Sequence, residues 1–211
     1  MDITRTWSEL DLETMKRNYT VLKEFSDKGM DIKTLASANA YSFEPMTGGP
    51  MQGTCQQYLT VKTAEEGCAL RSNGVTLPIL VREYPKPDSV TQFVKMMHRN
   101  YLALSLDNLD DFRAVSARVI PIFGGILSIH LKVDIGEPGE KFSYLNADSS
   151  IDDLLLVKST LGLYCEGIYT VLDKNDTEEN KKEKVKALHE LAKRLEEITG
   201  KPFAVKHVFC E

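Results

Sequence analysis

Short apolar runs alternate with amphipathic stretches along most of this 211-residue chain. Thr34–Ala38, Tyr58–Val61, Pro78–Val81, Leu102–Leu104, Ile126–Val133, Leu163–Tyr169 and Phe203–Phe209 read as buried strands. Between them, apolar residues recur every three or four positions, the spacing of one helix face. Val90, Phe93, Val94 and Met97 make one such stripe, with Asp88 as its expected cap. Leu109, Phe112 and Val115 make another, starting at Asp107, and Ile151–Thr160 reads as a third helix. Thr63-Ala64-Glu65-Glu66 is a capping box that opens a helix ending at Gly74. Thr177 opens a long charged helix with an apolar face of Val185, Leu188, Leu191, Leu195 and Ile198, stopped by Gly200 and Pro202.

Upstream, Thr4–Leu10 alternates around Trp7 as a short strand, and Leu12, Met15, Tyr19, Leu22 and Phe25 form a helical stripe capped by Asp11. Phe43–Gly53, rich in glycine and proline, reads as a plain loop before it reads as a phosphate cradle.

Strands alternating with helices predict a parallel α/β sheet. Seven such strands without a G-x-G-x-x-G after any of them favour a TIM-type barrel over a doubly wound dinucleotide fold. A complete barrel has eight strands and about 250 residues, so the expectation is an incomplete one, in a single domain over 1–211 with 1–10 extended.

Composition narrows the classes. The chain is 42% hydrophobic and 27% charged with no long apolar run, which predicts a soluble domain and no membrane partner. A net charge of -5 without a basic tract argues against nucleic acid. Nothing apolar follows Met1–Arg5 as a signal core would, so a cytoplasmic location is expected. Cys55, Cys68, Cys165 and Cys210 show no C-x-x-C spacing and read as reduced thiols, with no metal site.

In a barrel, chemistry gathers at the carboxyl ends of the strands. There the chain places Ser37, Asn39 and Tyr41, then Lys62, then His130, Lys132 and Asp134, and finally His207 and Cys210. Each has a plain reading. His130 on an apolar strand is more often a satisfied core histidine than a catalyst. Lys132 shares its face and must be paired or at the rim. Ser37 lacks the G-x-S-x-G setting of a hydrolase. The lysines of the last long helix form a solvated face.

These residues carry a family resemblance. Thr6-Trp7-Ser8-Glu9-Leu10-Asp11-Leu12 resembles the T-W-A-E-I-D-L opening of alanine racemases, and Ala38-Asn39-Ala40-Tyr41 matches their A-N-A-Y. His130-Leu131-Lys132-Val133-Asp134-Ile135-Gly136 resembles H-L-K-V-D-T-G, Glu166-Gly167-Ile168 matches E-G-I, and His207 stands at the histidine of H-A-A-N-S. The resemblance implies the barrel of that family, a pyridoxal phosphate cofactor, and a head-to-tail homodimer. It implies cofactor contacts from Asn39, Tyr41, Lys132 and His207.

The departures fall on the chemistry. Ser37 stands where the family carries the lysine that forms a Schiff base with the cofactor, and a hydroxyl forms no imine. Val171 replaces a histidine, Gly136–Lys141 lacks the substrate-side arginine, and Cys210-Glu211 replaces asparagine and the phosphate-binding serine. By the resemblance, the chain also stops before the pyridine-facing arginine and the β-domain that donates the second base. The expectation is therefore a domain without its catalytic bases. It would bind a phosphate-bearing small molecule, act as a scaffold, or serve as one subunit beside a heteromeric partner. The alternative is a racemase using Lys62 as a surrogate lysine.

Overall fold

The computed structural model describes residues 34–37, 56–84, 88–123, 126–135 and 149–210, together with Glu13, Thr14, Arg17 and Thr20. Those last four are helical, within the predicted 12–25 stripe. The Trp7 strand, the Phe43–Gly53 loop, Asn39 and Tyr41 lie outside the described residues.

The elements run β1 Thr34–Ser37, β2 Gln56–Val61, α1 Ala64–Ser72, β3 Ile79–Val81, α2 Val90–Arg99, β4 Leu102–Leu106 and α3 Leu109–Phe123. They continue with β5 Leu127–Lys132, α4 Ser149–Ser159, β6 Leu163–Leu172, α5 Glu178–Thr199 and β7 Val205–Cys210. The seven strands form one sheet in sequential order, and each neighbouring pair is parallel.

The sheet is curled. Were it flat, β3 and β7 would lie about 19 Å apart, four strand spacings. Instead the Arg82 guanidinium, just past β3, lies 5.5 Å from the centre of the Phe209 ring on β7. Tyr58, Leu80 and Ala103 pack together inside the curl with Val205 and Phe209 against them. The architecture is an incomplete TIM-type barrel, and its interior is filled with side chains, as in closed barrels. β1 and β7 are its two ends, with no pairing between them among the described residues.

Alternation along the strands divides the two faces. Leu59, Val61, Ile79, Val81, Leu104, Ile129, Leu131 and Ile168 point outward to the helices, where they meet Leu70, Val94, Met97, Val115, Leu154, Leu191 and Leu195 in one core. The helix ends follow local chemistry. The Thr63 hydroxyl accepts from the Glu66 N–H at 3.3 Å and the Glu66 carboxylate accepts from the Thr63 N–H at 3.1 Å, the predicted box. Gly200 takes the left-handed conformation, φ 65°, that ends α5.

Several expectations shift. Ser89, not Asp88, caps α2, because its hydroxyl accepts from the Gln92 N–H. Asn108, not Asp107, accepts from the Asp111 N–H at the start of α3. β6 runs on to Leu172, three residues past the predicted end. Ile198 is exposed, because the buried stripe of α5 ends at Leu195.

Candidate functional site

Ser37 closes β1 and stands in register with Thr60 on β2. The Thr60 hydroxyl is buried without a hydrogen-bond partner among the described residues. Lys62 lies two residues further on, just past the strand. Its ammonium is mostly solvent-exposed and 3.5 Å from the Glu83 carboxylate. Lys132 is half-buried at the end of β5, lining a rim cavity of about 160 Å³ with Asp107, Asp134, Thr170 and Val171. The rim reading of Lys132 therefore holds, and Val171 presents a branched aliphatic side chain to that cavity.

One level deeper the interior is polar. Lys132, Tyr169 and His207 form one row across β5, β6 and β7, and His130, Gly167 and Val205 form another. His130 and His207 are thus diagonal neighbours with β6 between them. Their strands are about 9.6 Å apart, two spacings, yet His130 Nδ1 lies 2.9 Å from His207 Nε2. The rings lean together over Gly167. A Cβ at that position would sit 2.5 Å from His130 Nδ1.

The register explains how Gly167 comes to face inward. Ile129 pairs with Cys165 and His130 pairs with Gly167, so Glu166 is an extra residue in β6. This bulge turns two successive residues, Glu166 and Gly167, toward the interior. Glu166 accepts a hydrogen bond from the Tyr58 hydroxyl at 3.3 Å. Tyr169 stacks on His207 with ring centres 4.6 Å apart, and its hydroxyl is 2.7 Å from the Ser105 hydroxyl.

Burial sets the protonation of this layer. Both imidazoles are held below the usual histidine range, His130 at about 3 and His207 at about 4. Loss of solvation is the main cause for each, and the nearby His207 lowers His130 further. Burial, then the Glu166 charge, pushes Tyr58 up. Cys165 is pushed up to about 12 by burial, so its thiol is an inert core group. Cys210 is exposed at the end of β7.

A neutral imidazole pair joined by one hydrogen bond keeps one N–H donor and one lone pair at its outer ends. His130 Nε2 and His207 Nδ1 are those ends, and neither has a partner among the described residues. The histidine pair can orient a polar group by hydrogen bonding, but neither ring offers an amine for a covalent bond to an aldehyde.

Of the residues the sequence singled out, the fold gathers Lys132, His130 and His207 within two adjacent levels of β5–β7. It places Ser37 beside β2 and leaves the Lys62 amine in solvent. Sequence reasoning missed Tyr58, Glu166, Tyr169 and Ser105. Glu166 and Gly167 were visible as E-G-I, but a bulge leaves no mark in the pattern of apolar positions.

Residues 10–208 match the family model described as the alanine racemase N-terminal domain. The alanine racemase of Methanococcus maripaludis is 25% identical over 168 residues, 78% of this chain and 42% of that protein. Alanine racemase 2 of Caldanaerobacter subterraneus is 23% identical over 98% of this chain and 52% of its own length. Among solved structures, alanine racemase of Clostridium difficile in complex with cycloserine superposes with a TM-score of 0.76 at 22% identity, covering 98% of this chain and 56% of that one. D-threo-3-hydroxyaspartate dehydratase from Delftia superposes at 0.68 with 21% identity over 94% of this chain and 53% of that one. The chain spans about half the length of the relatives it matches.

Proposed function

The chain belongs to the family of the alanine racemase N-terminal domain, and from that premise we propose that it is a binding member of the family rather than a racemase in its own right. It would hold a small phosphate-bearing molecule, with pyridoxal phosphate the first candidate. It would act as a scaffold or as one subunit of a homodimeric or heteromeric assembly.

One observation carries this reading: Ser37 ends β1 in register with Thr60, where the resemblance puts the cofactor lysine. Pyridoxal phosphate, when bound, supplies an aldehyde that captures amines and a ring that withdraws electrons. The groups present fit it by contact and not by the family's covalent link. Lys132 offers an ammonium for a phosphate at the rim, and the unpartnered Thr60 hydroxyl and the outer nitrogens of the histidine pair offer hydrogen bonds. By the resemblance, Asn39 and Tyr41 add to this set. Val171 supports the same reading, since an aliphatic side chain cannot move a proton.

The surrogate-lysine reading is favoured by one feature, that Lys62 lies two residues past Thr60, just beyond the end of the strand beside Ser37. Its exposed position against Glu83 weighs the other way. Both readings meet in one experiment. The purified chain is mixed with pyridoxal phosphate, its absorbance recorded, then reduced with borohydride and mapped by peptide mass, with alanine racemisation followed in parallel. No reduced lysine adduct and no racemisation is the expected outcome. An adduct on Lys62 with turnover of alanine would overturn the proposal.

A further inference from the structure

The amino ends of the strands carry a second cavity, at the opposite end of the barrel from Ser37 and Lys132. It has a volume of about 200 Å³; Met97 and Leu127 are among its apolar walls, Tyr58, His98, Ser128 and Glu166 are polar groups that line it, and Tyr101 is at its edge. An apolar cavity of about 150 Å³ takes a benzene ring, so this one has room for a ring with a short tail.

Three features suggest a built site. Glu166 points inward, next after Cys165, which faces the helices, and the bulge brings Gly167 to the same side. One Glu166 oxygen holds the Tyr58 hydroxyl, and no cation pairs with the carboxylate among the described residues. The nearby cation, Arg71, has its donors committed elsewhere. They reach the carbonyls of Val75, Leu77, Asn100 and Tyr101 at 2.6–3.0 Å. The last of these bonds holds Tyr101 in the left-handed region, φ 50°, with its side chain 83% exposed. That conformation is costly for a residue with a Cβ, and Tyr101 is held at both ends of its peptide, its N–H by the His98 carbonyl and its carbonyl by Arg71.

We propose that this cavity is a second ligand site that takes a small organic cation, a primary amine on a short aromatic or aliphatic body. The Glu166 carboxylate has no ion-pair partner among the described residues, and such an amine supplies the counter-charge while its body meets Met97 and Leu127. An anion would be repelled by Glu166, and a neutral body would leave the carboxylate uncompensated. The site is independent of whatever the Ser37 end holds, so its test needs no cofactor.

The test is calorimetric titration of the purified chain with 2-phenylethylamine and, in parallel, with 2-phenylethanol, which has the same shape and no charge. The amine is expected to bind with a single saturable isotherm, the alcohol at least about tenfold more weakly, the difference a charge-assisted hydrogen bond makes. Glu166→Gln, which keeps an acceptor for Tyr58, should weaken the amine by a similar factor. Ser128→Leu, which fills the cavity without touching the carboxylate, should abolish binding. Equal binding of amine and alcohol, an unaffected Glu166→Gln or Ser128→Leu, or no saturable binding of the amine would each overturn the site.

Discussion

His130 Nδ1 and His207 Nε2 lie 2.9 Å apart inside the curled sheet, a bond between strands that are not neighbours. One ring must donate and the other accept, so at least one imidazole is neutral. Burial keeps both neutral well below their ordinary range.

Stability should therefore fall in mild acid. Unfolded histidines take up protons near pH 6.5, while the folded ones resist to about 4 at His207 and about 3 at His130. The unfolded state binds more protons across that window, so stability present above about pH 6.5 is lost as the pH falls. Each histidine contributes a slope of up to about 1.4 kcal/mol per pH unit. Urea unfolding between pH 7.5 and 5 checks this, and His207→Phe should flatten the slope.

Gly167→Ala should be destructive despite adding only a methyl group. Its Cβ would meet the His130 ring at 2.5 Å, and that ring is itself packed against Tyr58 and His207. Overpacking of this kind costs about 1–3 kcal/mol. A midpoint unchanged in urea would show that His130 can move aside.

Arg71 joins the α1–β3 connection to the turn before β4 through four carbonyls. Arg71→Lys keeps the charge but not the planar fork. It should lose about 2 kcal/mol or more, since partly buried carbonyls are left without donors. Thermal unfolding measures the loss, which a point-charge role for Arg71 would make negligible.

Lys158 is a buried ammonium 3.4 Å from the centre of the Phe203 ring, with no hydrogen-bond acceptor among the described residues. Burial lowers its proton affinity. Lys158→Met keeps the length of the side chain and removes the charge, and is expected to raise stability by about 1 kcal/mol. A loss in urea unfolding would mean that the contact with Phe203 outweighs the desolvation.

Ser37→Lys is the gain-of-function counterpart of the functional proposal. An amine at the end of β1 should let pyridoxal phosphate attach covalently, giving a borohydride-fixed adduct that maps to position 37. The unaltered chain should show none there. Failure of the variant to attach the cofactor would place the defect in the surrounding contacts and not in Ser37.

The sequence by itself determined the parallel strands, their order and the helices between them, because burial on both faces makes each strand a continuous apolar run. Leu102–Leu104 and Pro78–Val81 could hardly be read otherwise. It also identified the family, through residues scattered from Thr6 to His207. Helix caps were less legible, since adjacent residues such as Asp88 and Ser89 both suit the role and only backbone geometry selects one. What tertiary structure alone decided was which residues meet across the curl. His130 and His207 are 77 positions apart, and Tyr58 and Glu166 are 108 apart. The histidine contact depends on one extra residue in β6, which brings Gly167 beneath the two rings and reverses the direction of every side chain after it. A bulge costs the apolar pattern almost nothing locally, so the sequence carries it silently, and only the paired register of β5 with β6 makes it visible.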